Sequence, residues 1–216
     1  MSQALIRQYE IGPMENFAYF VGDVKKREVL LVDPAWEIDT LFKRAEEENL
    51  NIVGALVSHH HYDHTNGLED LLNRKEIPIY VNKHDVPFIR FAPASSLSAV
   101  DHGHKIKVGN VEIELLHTPG HTPGSQCFRI GNGLVTGDTL FINGCGRCDL
   151  PGGNAEEMYY TLTQKIMRLP DETVVFPGHN YAAAPTATIG EQKEANPFLR
   201  LASQSLKDFL KLRLGR

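Results

Sequence analysis

Ser58-His59-His60-His61-Tyr62-Asp63-His64 is the stretch that decides the fold of this chain. It follows the apolar run 52–57, whose length and composition are typical of a buried strand. Four histidines and one carboxylate therefore occupy a short loop at the end of a rigid strand. Folding does not require this composition in a loop, whereas a metal site does, because imidazole and carboxylate groups are common metal ligands.

The bulk composition indicates one compact domain. The chain has 216 residues, 42% of them hydrophobic, and we expect residues 1–216 to form one domain with a short helical C-terminal extension from about residue 188. No apolar run approaches the roughly 20 residues of a membrane span, and the first ten residues lack a signal-peptide core. Three cysteines argue against a disulfide framework, so we expect a cytoplasmic protein without membrane contact. A net charge of −5 without a basic stripe argues against nucleic acid as a partner.

The order of apolar runs and turn residues predicts a mixed α/β fold. Short strands are expected over 5–9, 18–21, 29–32, 52–57, 79–81, 105–108, 111–117, 126–130, 134–136 and 174–176. Helices are expected over 39–48, 67–74 and 155–169, and in a tail from Thr188 that is broken at Pro197. Residues 84–98 are expected to be irregular. Strand-rich halves with helices on the outside predict two sheets packed face to face between helix layers.

Three later segments repeat the pattern of an apolar strand that ends in a turn with a ligand-type residue. Residues 115–121 end in His121, residues 134–138 end in Asp138, and residues 174–179 end in His179. Glycine or proline lies near each of them and lets the backbone approach a crowded centre.

Together with the histidine loop, these segments supply seven candidate ligands: His59, His61, Asp63, His64, His121, Asp138 and His179. Seven nitrogen and oxygen ligands exceed the needs of one tetrahedral site but suit two adjacent metals that share a carboxylate. We interpret His60 and His117 as packing or outer residues of this site. His84, His102 and His104 are interpreted as ordinary hydrogen-bonded histidines.

The order His59-x-His61-x-Asp63-His64, then His121, Asp138 and His179, resembles the metallo-β-lactamase superfamily over nearly the whole chain. The resemblance implies the αβ/βα sandwich, in which two mixed sheets are flanked by helices and the metals bind at one edge. It implies that His59, His61 and His121 hold one metal, that Asp63, His64 and His179 hold the second, and that Asp138 bridges them. Asp63 and Asp138 are the candidate catalytic residues. The implied cofactors are two divalent ions, zinc or iron or both, and the same ligands also accept manganese.

Later motifs are similar to the glyoxalase II group of that superfamily. They are residues 136–141, Gly144-Cys145-Gly146-Arg147, Pro177-Gly178-His179-Asn180-Tyr181 and residues 196–200. The group includes hydroxyacylglutathione hydrolases, which implies a dinuclear hydrolase that cleaves a thioester such as S-2-hydroxyacylglutathione with a metal-bridging hydroxide. Arg147 and Tyr181 are the candidate substrate contacts, since a forked guanidinium suits a carboxylate. The short tail departs from the longer helical domain with which typical glyoxalase II grips glutathione.

Two other functions are compatible with the same residues. The group also includes persulfide dioxygenases, in which a single iron would be held by His59, His121 and Asp138 and would act on glutathione persulfide. The short tail and the run Gly-Cys-Gly-Arg-x-Asp resemble that branch. A metal-retaining protein that only binds partners is the third interpretation, and the intact ligand set argues against it.

Two features outside the ligand set carry further hypotheses. The spacing of Cys145 and Cys148 leaves a redox role open, although no second pair completes a zinc site. The amphipathic tail leaves a homodimer open, and packing on the protein's own core is the competing interpretation. Its apolar positions are Leu199, Leu206, Phe209 and Leu210.

Overall fold

The computed structural model describes residues 4–215 and contains two six-stranded sheets. The strands of the first sheet lie in chain order: β1 Ala4–Ile11, β2 Asn16–Asp23, β3 Glu28–Val32, β4 Asn51–Val57, β5 Ile79–Asn82 and β6 Leu97–Val100. β1, β2 and β3 pair antiparallel through tight turns. β3 to β6 pair parallel, because longer connections cross between these strands.

The second sheet has the order β14-β13-β10-β9-β8-β7. Its strands are β7 Lys105–Val108, β8 Val111–His117, β9 Gln126–Ile130, β10 Gly133–Gly137, β13 Val174–Pro177 and β14 Ala187–Thr188. The short strands β11 Leu140–Phe141 and β12 Gly144–Cys145 form a separate hairpin. β7 to β10 form an antiparallel meander, whereas β13 pairs parallel with β10.

Helices cover the outer faces of both sheets. Their bounds are α1 Ile38–Glu47, α2 Tyr62–Thr65, α3 Leu68–Arg74, α4 Ala155–Gln164, α5 Ile189–Ala195, α6 Pro197–Ala202 and α7 Leu206–Leu214. Leu41 and Leu71 of α1 and α3 share a core with the first sheet. Met158 and Phe209 of α4 and α7 share a second core with the other sheet. The layer order is therefore helix, sheet, sheet, helix, which confirms the predicted αβ/βα sandwich.

β2 shows how one strand serves two of these cores. All eight of its residues are buried, because side chains on both faces of the strand are covered. Phe17 and Tyr19 point to a third core between the two sheets, where they meet Phe128. Ala18 and Phe20 belong to the core under α1 and α3. Because successive side chains of a strand point to opposite faces, β2 contributes both to the core between the sheets and to the core under the helices.

Two sequence predictions need correction. The helix predicted over 155–169 ends at Gln164, and a separate 3₁₀ turn follows at Ile166–Arg168. Between them, the backbone of Lys165 departs from regular helical angles, with φ at −118°. The Nζ of Lys165 donates to the carbonyl of His117 at 2.6 Å. The segment 84–98 is not irregular to its end, since Leu97 already pairs with Ile79 as part of β6. β6 bonds only to β5, and an edge strand of four residues has too little apolar alternation to be found from sequence.

The C-terminal tail is helical and packs on the chain itself. Leu199 and Phe209 are buried, whereas Leu206 and Leu210 are half-buried. The predicted break at Pro197 is confirmed, since Asn196 caps α6 and proline occupies its first position. The homodimer stays a prediction. Within residues 4–215, no helix combines the length and apolar character needed to cross a bilayer.

Candidate metal centre

The ligand-type residues meet at one edge of the sandwich. Each follows the end of a strand: the histidine loop follows β4, His121 follows β8, Asp138 follows β10 and His179 follows β13. β10 and β13 are parallel neighbours, so Asp138 and His179 leave the second sheet side by side. The two sheets are joined at this edge, because the backbone N–H of Gln126 donates to the carbonyl of Ser58 at 2.9 Å.

The first group of ligand atoms comes from His59, His61 and His121. Their ligand atoms all lie within 4.8 Å of one another. His121 Nε2 is 2.9 Å from His61 Nδ1, and the ring of His59 is 4.7 Å from each of the other two rings. Three imidazoles that converge in this way form the ligand set of a tetrahedral metal with one open position.

The second group comes from Asp63, His64 and His179. The Nε2 atoms of the two histidines are 3.2 Å apart, and Asp63 Oδ2 lies 3.4 Å from both. His64 and His179 are buried, so the cluster is not a chance contact of surface side chains. The structure thus brings together six of the seven predicted residues as two adjoining groups.

Asp138 lies between the two groups. Its Oδ2 is 3.5 Å from His121 Nε2, while its Oδ1 is 3.4 Å from His64 Nε2 and 3.5 Å from His179 Nε2. The two oxygens of one carboxylate therefore face different ligand groups. A carboxylate in this position can bridge two ions.

Hydrogen bonds on the outer side of the rings fix which nitrogen faces inward. Carbonyl oxygens can only accept, so His121 Nδ1 donates to Arg147 O at 2.6 Å and His179 Nδ1 donates to Met14 O at 2.9 Å. His64 Nδ1 bonds to Asp33 Oδ2 at 2.9 Å. In each ring Nδ1 is thus occupied on the outer side and Nε2 faces the cluster, where it can bind a metal once it is deprotonated.

His59 is oriented through Ser58. The Ser58 hydroxyl donates to Asp33 Oδ2 at 2.6 Å, which uses its only hydrogen. The contact of 3.0 Å between Ser58 Oγ and His59 Nδ1 must then have the histidine as donor. His59 Nε2 is therefore also a free lone pair. The backbone N–H of Ser58 donates to Asp33 Oδ1 at 2.6 Å, so one buried carboxylate orients ligands of both groups.

The first group has the electrostatics of neutral metal ligands. Burial and the neighbouring histidines lower the pKa of His59 well below its usual value, and the same causes lower the pKa of His61 to about 4. Burial also lowers the pKa of His121, although Asp138 opposes this effect. These rings are consequently neutral near pH 7, and their lone pairs are available.

The second group attracts positive charge. Burial would lower the pKa of His179, but the carboxylates of Asp138 and Asp63, whose oxygens lie 3.5 and 3.4 Å from its Nε2, raise it to about 10. Burial would raise the pKa of Asp63, but His179 and His64 hold it well below its usual value. Two ionised carboxylates therefore stabilise a cation among the imidazole nitrogens. A proton can serve this role, and so can a divalent metal ion.

The chemistry of these donors fits metal ions. Among residues 4–215, His59 Nε2 and Asp138 Oδ1 are buried in the cluster without a hydrogen-bond partner. A buried polar atom without a partner costs about 1–3 kcal/mol, so such atoms are rare unless a ligand completes them. Both atoms lie where a metal held by their group would meet them. We conclude that the cluster can hold two divalent ions.

Glycine at two positions permits this crowding. A Cβ on Gly178 would lie 2.5 Å from Asp138 Oδ1, and a Cβ on Gly146 would lie 1.9 Å from the backbone oxygen of Asp138. Both values are below any normal contact, so a side chain at either position would displace the bridging residue.

The two predicted substrate contacts differ in the structure. The ring of Tyr181 stacks on His179, with centroids 4.6 Å apart and planes at 10°, and it remains exposed to solvent. Burial and the nearby Asp138 raise the pKa of Tyr181 to about 12, so its hydroxyl stays a donor at neutral pH. The guanidinium of Arg147 is instead bound by Asp149, with Nε–Oδ1 3.0 Å and Nη2–Oδ2 2.9 Å. Its carbonyl orients His121, and substrate contact by its side chain stays a prediction.

The remaining histidines lie outside the ligand groups. His60 stacks near Phe88, and its Nδ1 lies 3.0 Å from Asp85. His117 stacks on His84, and its Nε2 donates to Pro123 O at 2.8 Å. Within residues 4–215, it forms no hydrogen bond with a residue of the ligand groups. These positions agree with their interpretation as packing residues.

Cys145 and Cys148 are both buried beside the cluster. Burial raises the pKa of both thiols, to about 11 for Cys148. Neither is a thiolate at neutral pH, and a redox role stays a prediction.

Two acidic residues of the site were not found from the sequence. Asp33 follows β3 as the other ligand-type residues follow their strands, so the same pattern could have identified it. Asp85 gave no such signal, because it lies in a loop. It is fully buried and accepts from His60 N at 2.9 Å, Thr122 Oγ1 at 2.8 Å and Gly124 N at 2.7 Å. Asp85 thereby joins the histidine loop to the loop that carries His121.

We predict that Asp85→Ala weakens metal binding at the first group. The two loops that carry its ligands lose their common anchor, and comparable outer partners change metal affinity by about 10–100-fold. The measurement is a competition titration of Zn²⁺ against a chromophoric chelator. Asp101→Ala removes an exposed aspartate that pairs with Lys83 and serves as the control. Equal affinities in the three proteins would contradict the anchoring role.

Comparisons with known proteins agree with this geometry. The family model of the metallo-beta-lactamase superfamily matches residues 11–179. The chain is 29% identical to the probable polyketide biosynthesis zinc-dependent hydrolase PksB of Bacillus subtilis, over 89% of this chain and 88% of that protein. It is 31% identical to the probable hydroxyacylglutathione hydrolase glo2 of Schizosaccharomyces pombe, over 91% and 87%. It is 32% identical to the mitochondrial persulfide dioxygenase ETHE1 of Homo sapiens, over 96% and 80%.

Two solved structures share the fold over most of their length. ETHE1 from Myxococcus xanthus has a TM-score of 0.86 at 31% identity and covers 97% of this chain and 90% of its own. TTHA1623 in a di-iron-bound form has a TM-score of 0.78 at 28% identity and covers 89% and 100%. Relatives named as hydrolases and as dioxygenases are about equally similar to this chain. Similarity therefore identifies the superfamily but does not choose the reaction.

Proposed function

We propose that this chain, which belongs to the metallo-β-lactamase superfamily, is a two-metal hydrolase that cleaves thioesters. The observation that carries the proposal is the position of Asp138. One of its oxygens faces His121 of the first group, and the other faces His64 and His179 of the second. A reaction that needs only one metal does not explain why a second complete set of ligands converges beside the first.

The residues have separate tasks in this proposal. His59, His61 and His121 would hold one ion; Asp63, His64 and His179 would hold the other; and Asp138 would bridge them. Two such ions supply a hydroxide nucleophile at neutral pH and polarise a carbonyl oxygen. The outer bonds of the histidines keep each Nε2 directed inward, so the ligands need no rearrangement when ions bind.

A thioester suits a site with these groups. A thiol has a pKa of about 8.5, so the departing sulfur leaves as a thiolate without strong help from an acid. Tyr181 stacks on His179, is exposed and keeps its hydroxyl proton at neutral pH, so it can donate to a substrate oxygen. The proposal thus needs no acid or base beyond the residues of the cluster.

The metals themselves are zinc or iron in this proposal. Imidazole and carboxylate ligands accept both. Support comes from relatives of each kind, since PksB is named a zinc-dependent hydrolase and TTHA1623 is a di-iron-bound protein.

Persulfide dioxygenation is the second candidate. Its support is the 32% identity to human persulfide dioxygenase ETHE1 over 96% of this chain. One iron would be held by His59, His121 and Asp138, and the remaining ligand-type residues would form polar surroundings. That reaction leaves the convergence of Asp63, His64 and His179 without a role, which is why we place it second.

The two reactions are separated by paired assays on two portions of one metal-free preparation, one loaded with zinc and the other with iron. We expect protein loaded with zinc to hydrolyse S-2-hydroxyacylglutathione, with thiol release measured by a chromogenic disulfide. We expect protein loaded with iron to consume no oxygen with glutathione persulfide. Oxygen uptake with persulfide and no thiol release from any thioester would contradict the hydrolase and favour the dioxygenase.

A further inference from the structure

Exposed aromatic rings are concentrated beside the metal centre. Among residues 4–215, four aromatic side chains are exposed: Tyr62, Phe88, Tyr160 and Tyr181. Three of them adjoin the cluster, whereas Tyr160 lies on α4. Isolated exposed apolar residues are ordinary, but a group around one site marks a binding surface.

Tyr62 is the centre of this group. It lies between the ligands His61 and Asp63 in the sequence, and it is 55% exposed. Its ring makes edge contacts with Trp36 at 5.5 Å and with Phe91 at 5.4 Å. Packing therefore holds the ring of Tyr62 in place although much of it faces solvent. Its hydroxyl has no hydrogen-bond partner within the described part of the chain.

Phe88 extends the surface on the other side of the histidine loop. It is 47% exposed, and its ring lies 4.8 Å from the ring of His60. His60 in turn lies 5.0 Å from the ligand His61. A second exposed ring is thus separated from a ligand by a single imidazole. We call the rings of Trp36, Tyr62, Phe88 and Phe91 the aromatic shelf.

Two basic side chains that could bind an anionic substrate have partners within the chain. The guanidinium of Arg147 is bound by Asp149, so it is not free to bind a carboxylate. Among the basic residues of α7, Arg213 lies over the ring of Phe198. Arg90, which lies between Phe88 and Phe91 in the sequence, is exposed, so substrates without charge are needed to test the contribution of the rings alone.

We propose that the aromatic shelf binds an apolar, ring-bearing group of the substrate. This inference rests on the proposed thioester hydrolysis and narrows its substrate class. A ring on the substrate would stack on Tyr62 and Phe88 while the reacting carbonyl lies at the ligand cluster. The ring can belong to the acyl side or to the thiol side of the thioester, and the experiment distinguishes them.

The first measurement is turnover of three uncharged thioesters by the metal-loaded protein. They are S-phenylacetyl-N-acetylcysteamine, with a ring on the acyl side; S-acetyl benzyl mercaptan, with a ring on the thiol side; and S-acetyl-N-acetylcysteamine, without a ring. We expect one ring-bearing substrate to exceed the ringless one in kcat/KM by about 10-fold, the scale of one aromatic contact with its buried area. The preferred substrate tells which side the shelf receives.

The second measurement reports binding without turnover. Trp36 is the only tryptophan of the chain, and it contacts Tyr62. Its fluorescence should therefore change when N-acetyl-S-benzylcysteamine, a thioether that cannot be hydrolysed, occupies the shelf. N-acetyl-S-methylcysteamine should leave the signal unchanged at the same concentration.

Variants connect both measurements to the shelf. Tyr62→Ala and Phe88→Ala lie on different segments, and each should bring the ratio of ring-bearing to ringless kcat/KM towards one. Tyr62→Phe keeps the ring and should keep the preference. Tyr160→Ala removes a 42% exposed tyrosine away from the site and is the matched control. Metal content of each variant is measured, so a damaged ligand loop is recognised.

The outcomes separate this inference from the proposed reaction. If no thioester is cleaved but the benzyl thioether changes Trp36 fluorescence in a Tyr62-dependent manner, the hydrolase fails and the shelf stands. If thioesters are cleaved without ring preference and neither thioether affects Trp36, the shelf is overturned and the hydrolase stands. A ring preference that survives both alanine substitutions also overturns the shelf.

Discussion

Asp138→Ala is expected to abolish hydrolysis and to weaken metal binding in both ligand groups. Asp138 is the only residue whose two ligand atoms face different groups among the described residues. Without Asp138, the first group has three neutral imidazoles and no carboxylate. The second group keeps His64 and His179 but has only one carboxylate, Asp63. A bound metal contributes several kcal/mol to catalysis, so we expect kcat/KM to fall on the order of 10³-fold or more.

Two matched variants make this result specific. Asp63→Ala removes a carboxylate of the second group alone, so we expect the first group to retain its metal. Asp149→Ala removes an exposed carboxylate that pairs with Arg147, and we expect it to change metal content little. Elemental analysis and thiol release are measured on all three. If Asp138→Ala kept two metals per chain, its assignment as the bridge would be wrong.

Asp33→Ala is expected to destabilise the protein strongly even without metal. Asp33 is buried and accepts three bonds, from Ser58 N, Ser58 Oγ and His64 Nδ1. Its removal leaves these donors buried and unpaired. Breaking a buried polar pair by removing one partner costs about 3–5 kcal/mol, and we expect a loss of that order in the free energy of unfolding.

Asp33→Asn is a sharper test of the same contacts. All three partners are donors, and they face both oxygens of Asp33. Whichever way the asparagine amide is turned, its NH₂ would therefore face a donor. We expect most of the loss to remain although the shape is kept. Denaturant unfolding in the presence of a chelator measures the loss in the free energy of unfolding. Asp101→Ala is the exposed control, and we expect it to lower that free energy by about 0–1 kcal/mol, as is usual for a surface ion pair. A wild-type free energy of unfolding in Asp33→Asn would rule out this role.

The sequence predicts those parts of the site whose chemistry is local. His59, His61 and Asp63 share one loop, and His121, Asp138 and His179 each follow an apolar strand. Strand ends at the same sheet edge meet in space, so the pattern predicts their convergence without coordinates. The fold class follows from the same runs, because ten strands with outer helices leave few layer arrangements.

The parts that the sequence does not predict depend on distant partners. Asp85 acquires its role only because the loop around Thr122 folds against it. Arginine is a residue type that suits a substrate carboxylate, which is why the sequence predicts Arg147 as a contact. In the structure, however, Asp149 binds its guanidinium. β6 forms because its backbone pairs with the edge of β5, and its four residues are too few to give a strand signal. In each case a tertiary contact decides what local sequence leaves open.

The central claim is that the two ligand groups hold two ions with Asp138 between them. The most direct measurement is the number and element of metals per chain, in protein expressed with both zinc and iron available. We expect two metals per chain in the wild-type protein and one in Asp63→Ala. One iron per chain in the wild-type protein, with no change in Asp63→Ala, would contradict the dinuclear hydrolase.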